Sequence, residues 1–163
     1  LEEAAAAQRA PGHGGAGQAA VAAVLGLCPM RQSYEGEAAM RLQALAEGTD
    51  DPGYDFGPGL DPAPMFHALM AEPDPVRAAT RFHAGLARSF AAPARALIAE
   101  GSARAVAVSG GCFQNPLLLT LMLRELRGLP VLIQSETPAN DGGLALGQAV
   151  IAAARHLGGA ETG

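Results

Sequence analysis

The feature that most constrains the fold lies in the last third of the chain, where apolar runs, glycine-bearing loops and helical patterns follow one another in a fixed order. The apolar run over residues 104–109 ends in Ser109-Gly110-Gly111, and the run over residues 130–134 is followed by Asn140-Asp141-Gly142-Gly143. A helical pattern separates the two runs, and a helix between two strands is the usual crossover that joins parallel strands. The order therefore predicts an α/β fold, with parallel strands and covering helices.

Upstream of these strands, apolar residues recur at three- and four-residue steps, which indicates helices. The longest pattern predicts a helix over residues 75–100, with Pro93 as its candidate kink. His83 falls on the apolar face of this helix and is predicted to be a core histidine. Further helices are expected at about residues 18–28, 36–47 (apolar face Ala39, Met40, Leu42, Ala46) and 64–70, with a turn-rich loop over residues 48–63.

The predicted starts of two helices carry capping signals. Asn115-Pro116 predicts an N-cap followed by proline at the first helical position. Asp141 is predicted to cap a final helix that runs to about His156. The apolar character of residues 104–109 favours a strand that is covered on both faces.

Composition and charge exclude several classes of partner. The formal charge is −5, and the 11 Lys and Arg residues are scattered, so no basic stripe for nucleic acid is present. No apolar run approaches the roughly 20 residues of a membrane span, so no membrane partner is expected. Two cysteines without CxxC spacing indicate neither a disulfide framework nor a zinc ribbon, and we expect a reducing, cytoplasmic location.

The glycine loops are the candidate binding site, although each polar residue in them has a purely structural alternative. Gly110 and Gly111 can bring backbone amides close to a phosphate, or they form a tight turn without a ligand. Asn115 and Asp141 are either helix caps or ligand contacts, Asp141 as a hard oxygen donor for a divalent metal. Cys112 is interpreted as a small buried hydrophobe rather than a nucleophile.

Three segments in this order, Tyr34-Glu35-Gly36-Glu37-Ala38-Ala39-Met40-Arg41-Leu42, SGGCFQN at residues 109–115 and NDGGLALGQ at residues 140–148, give the chain a family resemblance. Together they resemble the C-terminal part of the hydrogenase maturation carbamoyltransferases of the HypF type. The resemblance implies the C-terminal lobe of an actin-like ATPase (ASKHA) fold over residues 16–158. A flexible Ala/Gly-rich leader over residues 1–15 and a short tail over residues 159–163 would flank this lobe.

The resemblance also implies a site and its occupants. The cofactors would be ATP or a carbamoyl-adenylate and a divalent metal (Mg, Zn or Fe), the metal site being incomplete in this chain. The implied roles are nucleotide contacts for Gly110, Gly111, Asn115, Gly36 and Glu37, and a metal ligand for Asp141. The family's HxxxH metal-binding pair belongs to an upstream segment, and the family stretch GRLFDAVA falls on residues 15–22, where Ala19 replaces its aspartate.

The expected function is carbamoyl transfer to the C-terminal cysteine of a HypE-like maturation protein, in the pathway to [NiFe] hydrogenase. The other partners implied are N-terminal HypF modules that this chain lacks, and the segment alone is expected to be catalytically inactive. The alternative is a truncated, inactive homologue that acts as a protein-docking module. A stand-alone sugar kinase or ATPase is disfavoured, because such enzymes need both lobes. An exposed lobe interface would be apolar, so self-association is expected.

Overall fold

The computed structural model describes residues 13–28, 31–48 and 50–159. Its elements in chain order are α1 (His13–Val24), α2 (Glu37–Leu45), α3 (Ala63–Met70), α4 (Pro75–Ala99), β1 (Val106–Val108), α5 (Pro116–Glu125), β2 (Val131–Ile133) and α6 (Leu144–Gly159). Short 3-10 turns lie at Pro58–Leu60, Gly111–Gln114 and Asp141–Gly143. The predicted order of helices and strands is confirmed.

The two strands form a parallel pair, with Val106 opposite Val131 and Val108 opposite Ile133, and α5 is their crossover. The α/β class with parallel strands is therefore confirmed. The prediction that the strand after α4 is covered on both faces is wrong. Val108 is buried against residues of α4 and α5, whereas Ala107 is exposed, because helices of the described chain pack against one face of the pair only.

The core lies mainly around α4, which packs against α5 on one side and α2 on another. Its Phe82 and Leu86 join Leu42 of α2 and Leu118 of α5 in one cluster of buried side chains. α4 continues through Pro93 as one helix of 25 residues and is not split there. The first half of the chain thus packs around α4, and α4 positions the strand pair that follows it.

The loop between α2 and α3 is held against α4 by direct backbone contact. The Tyr54 amide donates to the Arg81 carbonyl oxygen at 3.0 Å. A Cβ atom on Gly53 would lie 2.1 Å from the Gly85 nitrogen, so the two backbones touch where both residues lack side chains. The Arg88 guanidinium donates to the carbonyl oxygens of Pro52 and Tyr54, which fixes the loop further.

The first helix differs most from the sequence prediction. α1 begins at His13 and ends at Val24, whereas a helix over residues 18–28 was expected. Of the predicted leader, residues 13–15 belong to α1, and residues 1–12 lie outside the described residues, as do residues 160–163 of the predicted tail. Glycine is a poor helix former, yet α1 includes Gly14, Gly15 and Gly17. Val21 and Ala22, in the second half of this helix, are fully buried.

The predicted apolar face of α2 also needs a correction. Ala38 and Leu42 are buried one turn apart, whereas Met40 is 58% exposed. Residues two positions apart point to opposite sides of a helix, so Met40 cannot lie on the buried face with Ala38 and Leu42. Among the described ranges, no helix is long and apolar enough to cross a membrane.

Candidate functional site

A cleft of about 1090 Å³ opens where the start of α2, the loop after β1 and the loop before α6 meet the middle of α1. Each of the three segments that carry the family resemblance contributes to it. The lining residues are Gln18, Ala19, Gln32, Tyr34, Glu35, Gly36, Ala38, Ala39, Ser109, Gly110, Gly111, Cys112, Gln114, Asn140 and Asp141. The structure thus brings Gly36, Gly110, Gly111 and Asp141 together at one cleft.

The loop after β1 is joined directly to the loop before α6. The Gly110 amide donates to the Ala139 carbonyl oxygen at 2.8 Å. Gly110 has φ 112° and ψ 155°, a conformation that is open essentially only to glycine. The 3-10 turn that starts at Gly111 leaves its first amides without carbonyl partners in the turn, and such amides favour anions.

Asn140 caps the 3-10 turn Asp141–Gly143, which leads into α6. Asp141 lies inside this turn, so the prediction that it caps the final helix is wrong. The Asn140 side-chain oxygen Oδ1 accepts a hydrogen bond from the Gly142 amide at 3.1 Å. Asn140 has the extended backbone that a cap requires, whereas Asp141 is the first residue of the 3-10 turn. The exposed Asp141 carboxylate therefore lines the cleft without a capping role.

Glu37 is buried at the start of α2 and lies outside the cleft lining. Its carboxylate accepts a hydrogen bond from the Ser33 amide and pairs with the Arg41 guanidinium at 2.6 Å. The Ser33 amide and then Arg41 outweigh burial and lower the pKa of Glu37. Glu37 thus fixes the turn that presents Gly36, whose φ is 85°, to the cleft.

Asn115 is the N-cap of α5, as predicted, and it is buried outside the cleft lining. Its Oδ1 accepts from the Leu118 amide at 3.0 Å, and its Nδ2 lies 3.0 Å from His83 Nε2. His83 Nδ1 lies 2.8 Å from the Ala79 carbonyl oxygen, which can only accept, so Nδ1 carries the proton and Nε2 accepts from Asn115.

The core role predicted for His83 is confirmed. Its side chain is fully buried, and this burial lowers the pKa of the imidazole. Both ring nitrogens have a partner in the neutral state. His83 and Asn115 therefore form a neutral hydrogen-bonded pair that joins α4 to α5 behind the loop that follows β1.

Cys112 lies in the cleft lining and is half-buried. Burial raises the pKa of its thiol. Because the thiolate is the nucleophilic form of cysteine, this environment favours the unreactive thiol. The interpretation of Cys112 as an unreactive side chain agrees with its surroundings, although it contacts the cleft rather than the centre of the core.

Four amide side chains of the cleft were not predicted from the sequence: Gln18, Gln32, Gln114 and Asn140. Gln32 Oε1 accepts from the Ala38 amide at 3.2 Å. Gln18 is 1% exposed, and its Nε2 has no hydrogen-bond partner among the described residues. Nothing in the local pattern distinguished Gln18, which stands in a run of alanines and valines.

Among the described residues that line the cleft, the charged side chains are the carboxylates of Glu35 and Asp141, and there is no Lys, Arg or His. Over residues 13–28, 31–48 and 50–159, no group of three or more His, Cys, Asp or Glu side chains is arranged to hold a metal ion. The described residues therefore do not form a metal site by themselves.

Comparisons with known proteins agree with this arrangement. The family described as "Carbamoyltransferase, Kae1-like Domain, second subdomain" matches residues 15–148. The chain is 57% identical over 139 residues to carbamoyltransferase HypF of Rhodobacter capsulatus, covering 83% of this chain and 19% of that protein.

Two solved structures show the same fold. The crystal structure of full-length HypF in the phosphate- and nucleotide-bound form matches with a TM-score of 0.72 and 30% identity, over 82% of this chain and 19% of that one. T. kodakarensis HypF matches with a TM-score of 0.69 and 26% identity, over 81% of this chain and 19% of that one. The chain thus spans about a fifth of the length of these relatives.

The fold and the cleft define a Kae1-like carbamoyltransferase subdomain, the second of its domain. The chain belongs to the HypF carbamoyltransferase family.

Proposed function

We propose that this chain is the C-terminal lobe of an actin-like ATPase fold within a hydrogenase maturation carbamoyltransferase. Its cleft would form one half of a site for ATP or a carbamoyl-adenylate. The observation that carries the proposal is the convergence of three separate loops, represented by Gly36, Gly110 and Asp141, around one cleft. A solved HypF structure of the same fold, at 30% identity, was obtained in a phosphate- and nucleotide-bound form, which supports it.

The chemistry of the lining suggests which residues contact the phosphates, the ribose and the metal. The backbone amide of Gly111 suits a phosphate oxygen, because glycine allows close approach. The Gly110 amide is engaged with the Ala139 carbonyl oxygen, so Gly110 shapes this loop. The Glu35 carboxylate and the cleft amides suit the hydroxyl groups of a ribose. Asp141 serves as one ligand of the divalent metal, and the remaining ligands and the cations that balance the phosphates come from outside this chain.

Asn115 and Glu37 act in this proposal as positioning residues. Asn115 fixes the start of α5 and with it the end of the loop after β1. Glu37 fixes the turn that presents Gly36. Their side chains are engaged with protein partners, so they shape the site without touching the nucleotide.

The reaction of the whole protein would be acyl transfer from the adenylate to a thiol. The carbamoyl carbon leaves its phosphate oxygen and bonds to the sulfur of the C-terminal cysteine of a HypE-like protein, with loss of the thiol proton and release of AMP. In such a step, donors placed at the developing negative charge lower the barrier. The lobe supplies part of the binding site, and we expect it to be inactive without the N-terminal modules of the family.

Isothermal titration calorimetry with Mg²⁺-ATP tests the nucleotide half-site. Asp141→Asn should weaken binding about tenfold, since it removes the one carboxylate that the proposal assigns to the metal. Asp50→Asn is the matched control, because Asp50 is an exposed aspartate outside the cleft lining. Absence of binding by the unmodified chain, or equal affinities for Asp141→Asn and the unmodified chain, would contradict the proposal.

A second candidate, a docking role, is favoured by exposed apolar side chains on α6 and β2. Each exposes at least half of its surface: Leu132, Ile133, Leu144, Leu146, Val150 and Ile151. Exposed apolar side chains of this kind are typical of a protein contact, so self-association is expected. In sedimentation equilibrium, Ile151→Glu should reduce association, whereas Met70→Glu, on the exposed side of α3, should not. A chain that stays monomeric at high concentration would refute this candidate.

A further inference from the structure

Gln18 on α1 combines two properties that are rarely found together. Its side chain is 1% exposed, yet it belongs to the lining of the cleft. Its amide nitrogen Nε2 is buried and has no hydrogen-bond partner among the described residues. Buried polar groups in native proteins are nearly always paired, and an unpaired one costs free energy, so its presence requires a physical reason.

Packing does not supply that reason. The neighbouring residues Val21 and Ala22 are fully buried, and a Cβ on Gly17 would lie 3.9 Å from Phe82 Cζ, so this side of α1 is an ordinary apolar contact. A methionine at position 18 would fill a similar volume without an unpaired donor. The Gln18 side chain also borders the cleft.

We infer that Gln18 is a ligand-contacting residue whose carboxamide hydrogen-bonds an uncharged polar part of the bound nucleotide, its ribose or its base. The inference rests on the proposed function. Nε2 is inaccessible in the free protein, so the side chain turns toward the cleft when the ligand arrives, about a terminal torsion that has a broad range of angles. The ligand then completes the hydrogen bond that the protein leaves open.

The composition of the cleft indicates which part of the ligand Gln18 contacts. A carboxamide offers two N–H donors and one acceptor and carries no charge. The next residue in α1 is Ala19, and the described part of α1 contributes no charged side chain to the lining, so it offers no cation for a phosphate. Hydroxyl groups and ring nitrogens match this donor and acceptor set better than a phosphate does.

Calorimetry with three ligands, adenosine, Mg²⁺-ATP and Mg²⁺-pyrophosphate, tests the inference on the unmodified chain and on Gln18→Met. The substitution should weaken adenosine and Mg²⁺-ATP binding about tenfold each and leave pyrophosphate binding unchanged. The melting temperature should stay the same or rise, because an unpaired buried donor is removed. Gln43→Met is the matched control, since Gln43 is a half-buried glutamine of α2 outside the cleft lining.

Each other result overturns the inference in a distinguishable way. Adenosine affinity within twofold of the unmodified chain would show that Gln18 does not contact the ligand, while the proposed function would stand. An equal loss of pyrophosphate affinity would mean that the residue contacts the anion. A melting temperature several degrees lower would mean that the amide already has a partner in the free protein. If the unmodified chain binds neither adenosine nor Mg²⁺-ATP, the proposed function fails and the inference fails with it.

Discussion

Replacement of Asn115 by alanine should destabilise the chain far more than loss of an ordinary helix cap. The substitution removes the Oδ1 acceptor of the Leu118 amide, which as a cap is worth about 1 kcal/mol. It also removes the donor to His83 Nε2, and a buried acceptor left unpaired costs about 1–3 kcal/mol. The free energy of unfolding should therefore fall by about 2–4 kcal/mol.

Urea denaturation measures this loss as a shift of the midpoint at constant slope. Asn115→Ser separates the two contributions, because serine still caps the helix but cannot reach the imidazole. Asn140→Ala is the matched control: Asn140 caps through one hydrogen bond, to the Gly142 amide, and is exposed, so its loss should cost at most about 1 kcal/mol. Equal losses for Asn115→Ala and Asn140→Ala would refute the coupling between Asn115 and His83.

Two further predictions concern the same core. Burial lowers the pKa of His83 in the folded chain, so the unfolded chain takes up a proton more readily. The free energy of unfolding should therefore be at its full value above about pH 6.5 and fall as the pH decreases below it. If urea denaturation as a function of pH showed the whole of this decline in His83→Gln as well, the assignment to His83 would be contradicted. Gly85→Ala would place a Cβ 2.2 Å from the Tyr54 carbonyl oxygen and should lower the free energy of unfolding by at least about 3 kcal/mol. Gly147→Ala is the control: it has open space in α6 and should be neutral or stabilising by up to about 1 kcal/mol. Similar thermal midpoints for the two variants would disprove the close backbone contact.

Local signals in the sequence were sufficient for part of the fold. The cap and proline at Asn115-Pro116 predicted the start of α5 correctly, because capping depends on a few adjacent residues. The parallel pairing of β1 and β2 followed from the helix between them. The core face of α4 was likewise visible in its three- and four-residue steps.

Features that depend on distant residues could not be predicted. The contact between Gly53 and Gly85 joins two glycines whose proximity exists only after folding. The start of α1 at His13, ahead of Gly14, Gly15 and Gly17, runs against the low helix propensity of glycine. Asn140 and Asp141 are equally good caps by residue type, and only the backbone conformation distinguishes them.

The candidate site was predictable only through the resemblance of its three segments to a family. Gly36, Gly110, Gly111 and Asp141 do line one cleft, but their role in ligand binding stays a prediction. Gln18 was not visible at all, since a single amide in an apolar helix gives no pattern. Its unpaired nitrogen became apparent only when burial and hydrogen bonding were known atom by atom.

The central claim is that the cleft binds the nucleotide, and amide NMR during a Mg²⁺-ATP titration tests it most directly. Glycines occur both in the cleft and in the core of this chain, so their amide signals report on both regions. We predict that the amide signals of Gly36, Gly110 and Gly111 shift with ATP concentration while those of Gly53 and Gly85, in the contact between the loop and α4, stay in place. Unchanged signals from the three cleft glycines, or equal shifts for all five, would contradict the account.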